Sequence, residues 1–293
     1  MHPAPSVIVF TTLSGLGFGL LTFLALGLPS LSGLAAFWGY GAGFALAIGG
    51  LVSSTFHLGH PERALLAFTQ WRTSWLSREA WAAVAALTVT GLHAIGPVFL
   101  GTRFALLGGL GAGLCVITVF TTSMIYASIR AVPRWHQPAT PPLYLALSLA
   151  GGALLAGQAG AAAVLLAAAG AVQLWAWREG DAAFARAGTT IGTATGLGGR
   201  GAVRAFEPPH TGDNYLLREM VFVVARRHAR KLRAIAFAAM IGLPLVLLAL
   251  SGGALWASWL AAAIHAGGVA VQRWLFFAEA EHVVGLYYGR RVA

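Results

Sequence analysis

The residues best suited to chemistry are concentrated in one stretch, Ser54 to Glu79. It holds His57-Leu58-Gly59-His60-Pro61-Glu62-Arg63-Ala64 and, further on, Trp71-Arg72-Thr73-Ser74-Trp75-Leu76-Ser77-Arg78-Glu79. Histidine titrates near neutrality, and desolvation can raise a half-buried carboxyl towards neutrality. A His/Glu pair at a membrane interface can therefore accept the two protons of a hydroxylated, lipid-soluble ring, provided each base reaches the proton it removes. His57 ends one apolar run and Glu79 begins the next. A helix–loop–helix arrangement would bring both to the same membrane face although they are 22 positions apart. Arg63 and Arg72 are candidate orienting groups, and Trp71, Trp75 and Trp81 read as an interfacial aromatic belt. Glu79 also has a plain structural reading. Ser77 or Thr73 can cap the helix that follows, and an acidic residue near a helix N-terminus favours the dipole.

Other polar residues stand inside apolar runs. His93 and His265 are functional candidates by position. On facing helices they could ligate haem b, although a neutral histidine bonded to a neighbouring helix is the simpler reading. Arg273 has three options: it can snorkel, pair with Glu279 or line a polar cavity. His57 and His60 lack a third ligand nearby, so no metal site is expected. The single Cys115 excludes an intrachain disulfide, a Cys-ligated zinc and an all-cysteine iron–sulfur cluster held by this chain alone. Gly196-Leu197-Gly198-Gly199-Arg200-Gly201 matches G-x-G-x-x-G, but it lies in an Arg-flanked loop rather than a strand–helix turn, so a flexible loop is expected. The cluster Arg226-Arg227-His228-Ala229-Arg230-Lys231 fits anionic lipid or an acidic partner.

These residues must be positioned by membrane helices. Of 293 residues, 58% are hydrophobic and 10% charged, and the mean hydropathy is +0.74. Soluble domains carry about 25% charged residues, so a soluble enzyme, a disordered chain and a coiled coil are all excluded. Unbroken apolar runs argue against a β-barrel. The fold class expected is all-α: a polytopic integral membrane protein of eight spans, at 6–28, 34–56, 79–100, 104–127, 142–158, 160–177, 234–250 and 254–277, forming one membrane domain over 1–293. The fifth and sixth divide at Gly157-Gln158-Ala159-Gly160. The first run lacks a basic leader and reads as a span rather than a cleaved signal.

The connections alternate in length. Spans pair as hairpins through short turns, and longer segments (57–78, 128–141 and 178–233) join the hairpins. The last of these is expected to include an interfacial helix, Tyr215–Arg233. Seventeen of the nineteen Lys and Arg fall in the long segments and the C-terminal tail; only Arg103 lies in a short turn, and Arg273 lies in a span. In a soluble chain of net charge +10 nucleic acid would be considered. Here the positive-inside rule explains the charge instead, placing the long loops and both termini in the cytoplasm. No nucleic-acid partner is expected.

Three segments together resemble the membrane-anchor subunit family of bacterial dimethyl sulfoxide reductase. They are the His57–Ala64 stretch with Leu76-Ser77-Arg78-Glu79; Glu207-Pro208-Pro209-His210 running on to Met220; and Phe276-Phe277-Ala278-Glu279-Ala280-Glu281-His282 with the residues to Gly289. The resemblance implies a multi-pass inner-membrane anchor that carries no haem. It would oxidise menaquinol in anaerobic respiration and pass electrons to an iron–sulfur subunit, which serves a molybdopterin catalytic subunit. It also implies roles in quinol binding and oxidation for His57 and Glu79. In the well-studied member the quinol site is expected on the periplasmic side, whereas the charge rule here places His57 and Glu79 on the cytoplasmic side. Two other readings stand beside this one: a haem b anchor using His93 and His265, and a polytopic protein without a redox role, such as a transporter. The terminal substrate is not legible, because its pocket belongs to another chain.

Overall fold

The computed structural model describes residues 2–204, 206–207, 220 and 228–288. Positions 208–219 of the second resembling segment, most of the expected interfacial helix, and Arg226-Arg227 lie outside the described residues. Among those described, the chain is helical and has no strand. Seven helices are long and apolar enough to cross a membrane: α1 (Pro5–Ala25), α2 (Gly33–Ser53, extended by a 3-10 turn to His57), α3 (Trp75–Ile95, continued to Leu100), α4 (Ala105–Ala127), α6 (Ala159–Arg186), α7 (Ala229–Leu250) and α8 (Leu255–Ala278). Between α4 and α6 lies α5 (Thr140–Leu155), apolar but only 16 residues long. At 1.5 Å per residue it measures about 24 Å, less than a ~30 Å hydrocarbon core. The eight expected spans thus become seven full-length helices and one short one.

The short helix has local causes. Pro141 and Pro142 fit its first turn, where a missing N–H costs nothing. It ends at a left-handed Gly157, φ 67°, and the expected turn between α5 and α6 falls there. Gly101, φ 61°, closes the α3–α4 turn in the same way.

Two boundaries move. The third helix begins at Trp75 rather than Glu79, so Glu79 sits a full turn inside it. Neither Ser77 nor Thr73 caps it: the N-cap is Ser74, with no side-chain cap bond. The sixth helix runs on to Arg186 and the seventh starts at Ala229, so both ends of the 178–233 connection are helical. The Gly-rich stretch carries a short helix, Ile191–Thr195, closed by a Thr190/Thr193 capping box. No strand precedes it, and the dinucleotide pattern has no supporting context.

α1 is the central element and packs on α2, α4, α5 and α8. Lipid supplies no hydrophobic drive between helices, so close backbone contact must hold them. Gly19 and Gly152 permit this where α1 crosses α5: a Cβ on Gly19 would collide with the Ser148 carbonyl, and one on Gly152 with Gly19 itself. The hairpin order leaves the long connections at one end of the bundle and the short turns at the other.

Candidate functional site at the long-loop end

The loop carrying His57 consists of 3-10 turns, Ser54–His57 and Pro61–Phe68, with no buried residue in either. The first turns of α3 clamp it. Ser77 Oγ donates to the Ala67 carbonyl and accepts from the Gln70 N–H at 3.2 Å. Arg78 donates to the carbonyls of Trp71 (3.0 Å) and Arg72 (2.8 Å), and its guanidinium stacks over Trp75 at 4.3 Å. Trp81 Nε1 donates to the Phe68 carbonyl at 3.1 Å. An open groove of about 400 Å³ lies against Phe68, Trp71, Arg78 and Trp81.

The predicted site residues separate on this frame. His57, Arg63 and Arg72 are exposed; Arg72 lies over the Trp71 ring at 5.4 Å. His60 pairs with Glu62 at 2.9 Å in the open. Glu79 is only 4% exposed and faces inward. Its partner is Thr122 of α4, with Thr122 Oγ1 2.5 Å from Oε1. Among the described residues no hydrogen bond or ion pair joins His57 to Glu79. The aromatic groove is on another side of α3 from the carboxyl, since Trp81 follows Glu79 by two positions, about 200° of helix rotation.

The Glu79–Thr122 contact can switch protonation state without losing a bond. Thr122 Oγ1 is also 2.9 Å from the Thr118 carbonyl, and the hydroxyl has one proton to give. With Glu79 ionised, Thr122 donates to the carboxylate. With Glu79 protonated, the carboxyl donates to Thr122, and Thr122 donates to Thr118. A buried carboxyl that stays bonded in both states is suited to accepting and releasing a proton.

Behind Glu79 lies a cluster that the sequence did not signal. Tyr126 of α4 and Tyr144 of α5 stack at 5.8 Å. Trp135, Phe276 and Phe277 pack around Tyr126 at 5.4–5.6 Å. Both tyrosines lie within electrostatic range of Glu79 on one side and Arg273 on the other. Arg273 neither snorkels nor pairs with Glu279. It is 1% exposed, its guanidinium is 3.5 Å from the Tyr144 ring centre, and Nε and Nη1 have no hydrogen-bond partner. Glu279 instead bonds Arg233 at 2.8 Å. Asp181 joins Arg233 (2.6 Å) to Arg134 (2.7 Å), tying α6, α7, α8 and the 128–141 connection together. Outside the spans, burial holds His282 below the ordinary histidine range, and its Nδ1 accepts from the Val284 N–H at 3.0 Å.

The two intramembrane histidines meet different backbone partners. His265 Nδ1 lies 2.6 Å from the Met240 carbonyl and Nε2 lies 3.2 Å from the Leu147 carbonyl, so both ring nitrogens face backbone oxygens. Met240 lies in a π-helical turn, Ala238–Gly242, that runs into Pro244, a residue with no N–H to give; the Met240 carbonyl is served by His265. His93 Nδ1 lies 3.0 Å from the Phe104 carbonyl. Among the described residues, no group of three His, Cys, Asp or Glu could hold a metal ion.

The DMSO reductase anchor subunit (DmsC) family model matches residues 1–171. A sulfite dehydrogenase subunit from Allochromatium vinosum is 32% identical over 325 aligned positions, covering 98% of this chain and 99% of the relative. No solved structure matches the chain.

Proposed function

The chain belongs to the DMSO reductase anchor subunit family, as a multi-pass membrane anchor of a molybdoenzyme complex, and from that premise we propose that it exchanges electrons and protons between the menaquinone pool and an iron–sulfur partner subunit. The partner passes the electrons to or from a molybdopterin catalytic subunit. The observation that carries this reading is Glu79, a buried carboxyl that Thr122 can serve in either protonation state. In the quinol-oxidising direction Glu79 takes one ring proton and His57, exposed on the adjoining loop, takes the other. Arg63 and Arg72 lie on the same loop and are proposed to orient the headgroup. The seventeen bases of the long segments and the tail favour a cytoplasmic location for this end in a bacterial inner membrane, with both termini on that side, and the partner subunits docked there.

A second direction is favoured by the relative's name. A dehydrogenase withdraws electrons from its substrate, so an anchor serving one reduces quinone; Glu79 then delivers a proton to the ring instead of taking one. The same residues serve both directions, and the partner's potential decides between them. The test is turnover of the assembled complex with menaquinol and with menaquinone for wild type, His57→Ala and Glu79→Gln. Both variants are expected to assemble and to lose quinone-linked turnover. Wild-type rates in both would overturn the assignment.

A further inference from the structure

The opposite end of the bundle carries a second built feature. A cavity of about 230 Å³ opens between the α1–α2 and α3–α4 turns, and Tyr40, His93, Thr102, Arg103, Ser30 and Ser32 are among its lining residues. Arg103 is the single base in the short turns. Its guanidinium reaches across to the first hairpin, where Nη2 donates to the Ala25 carbonyl at 3.2 Å and the group lies against Gly27, which has no Cβ to displace it. His93 is wholly buried. Its Nδ1 faces the Phe104 carbonyl, which can only accept, so Nδ1 carries the proton. Nε2 of the neutral ring then presents a lone pair, and it has no partner among the described residues. Tyr40 cannot supply one, because its hydroxyl proton goes to the Leu24 carbonyl at 2.9 Å.

The cavity thus offers a guanidinium and three hydroxyls as donors, together with one buried acceptor. That is the complement of an anion which also carries a hydroxyl group. At about 230 Å³, against about 30 Å³ for one water, the cavity has room for a group of several heavy atoms. Exposed apolar side chains flank the mouth: Leu28, Leu34, Phe99 and Leu100 are 45–75% exposed, which places the opening among lipid rather than in bulk water.

We propose that this cavity is a binding site for the hydroxylated, anionic headgroup of a membrane phospholipid, with the phosphate at Arg103 and a headgroup hydroxyl donating to His93 Nε2. Phosphatidylglycerol has this chemistry; the ammonium of phosphatidylethanolamine can also donate to Nε2, but it cancels the net negative charge of the headgroup and sets a second cation near Arg103. The site is independent of the redox reading and lies at the other end of the bundle from Glu79.

Native mass spectrometry of the detergent-solubilised full chain tests it, with phosphatidylglycerol or phosphatidylethanolamine added back. Wild type is expected to retain one phosphatidylglycerol in preference to phosphatidylethanolamine. Arg103→Gln should lower that occupancy about tenfold, the equivalent of one charge-assisted bond. Arg103→Lys should restore part of it, and His93→Leu should lower the occupancy of phosphatidylglycerol. Arg130→Gln, an exposed base at the long-loop end, should change nothing. Equal retention of both lipids would overturn the proposal. So would occupancy unaffected by both Arg103 variants, or displacement of the lipid by a menaquinone.

Discussion

The two ends of this helical bundle solve the same problem in different ways. Each buries polar groups in an apolar chain, where an unmet donor or acceptor is costly. At the long-loop end, partners come from distant parts of the chain: Thr122 serves Glu79 across 43 positions, and Arg233 reaches Asp181 and Glu279 across 52 and 46. At the short-turn end, His93 Nε2 has no partner among the described residues, and Arg103 reaches one carbonyl. The first end can hold its charges by itself and can change protonation state while doing so. The second is complete only with a molecule from outside. Arg273 is the exception at the charged end: buried, stacked on Tyr144, and with two guanidinium nitrogens unpartnered among the described residues.

The largest effect separating the ends should come from Glu79→Gln. An amide keeps the shape and the Thr122 contact but cannot gain or lose the proton. General acid–base groups contribute about 10²–10⁴-fold, so quinone-linked turnover of the assembled complex should fall by at least about 100-fold. His93→Leu, at the other end, should leave turnover within about twofold while lipid occupancy drops, since a group in no contact with the reacting ring carries no such contribution. Equal losses of turnover in the two variants would abolish the functional distinction between the ends.

His265 tests whether a buried histidine can be purely structural. His265→Leu orphans the Met240 carbonyl and should cost about 1–3 kcal/mol, read as a lower midpoint in thermal unfolding. Adding Pro244→Ala restores a backbone N–H four residues on and should recover most of the loss. Failure of the second change to rescue the first would show that His265 does more than replace the proline's missing donor. His93 has no such relationship.

Much of this was legible beforehand. The hairpin order, the α5–α6 turn and the single charged face follow from apolar runs, glycine and the placement of Arg. The start of α3 was misplaced because Arg78 and Glu79 interrupt the apolar run, although the helix buries Glu79 inward and turns Arg78 back onto the loop. Glu279 follows Arg273 closely in sequence, and pairing with it is one of the three options that sequence leaves for Arg273. The cation that binds Glu279, Arg233, comes from α7, and spacing says nothing about such a meeting. Thr122, Tyr126 and Tyr144 carried no signal either: threonine and tyrosine in apolar helices are ordinary, and only the packing of α4 on α3 and α5 gives them a role.

A smaller effect is expected at the ion-pair network. Asp181 is half exposed, so the strength of its bonds to Arg134 and Arg233 is discounted by solvent. Asp181→Asn should lower stability by about 1 kcal/mol, and less at high salt, while leaving Glu79 chemistry intact. Thermal unfolding at two ionic strengths checks the first part, and turnover checks the second.

The smallest effect should fall on His60, and it decides what the loop contributes. His57 and His60 lie three positions apart and both are exposed, but His60 already contacts Glu62 at 2.9 Å, in a pair too solvated to matter for stability. Among the described residues no carboxylate pairs with His57, which closes the 3-10 turn at the end of α2. If headgroup chemistry depends on a base there, His60→Ala should turn over at the wild-type rate, and His57→Ala should not. If the two alanine variants lose activity equally, the loop acts through its fold or its total charge rather than through one imidazole. Glu79 would then be the single proton-exchanging group at this end of the bundle.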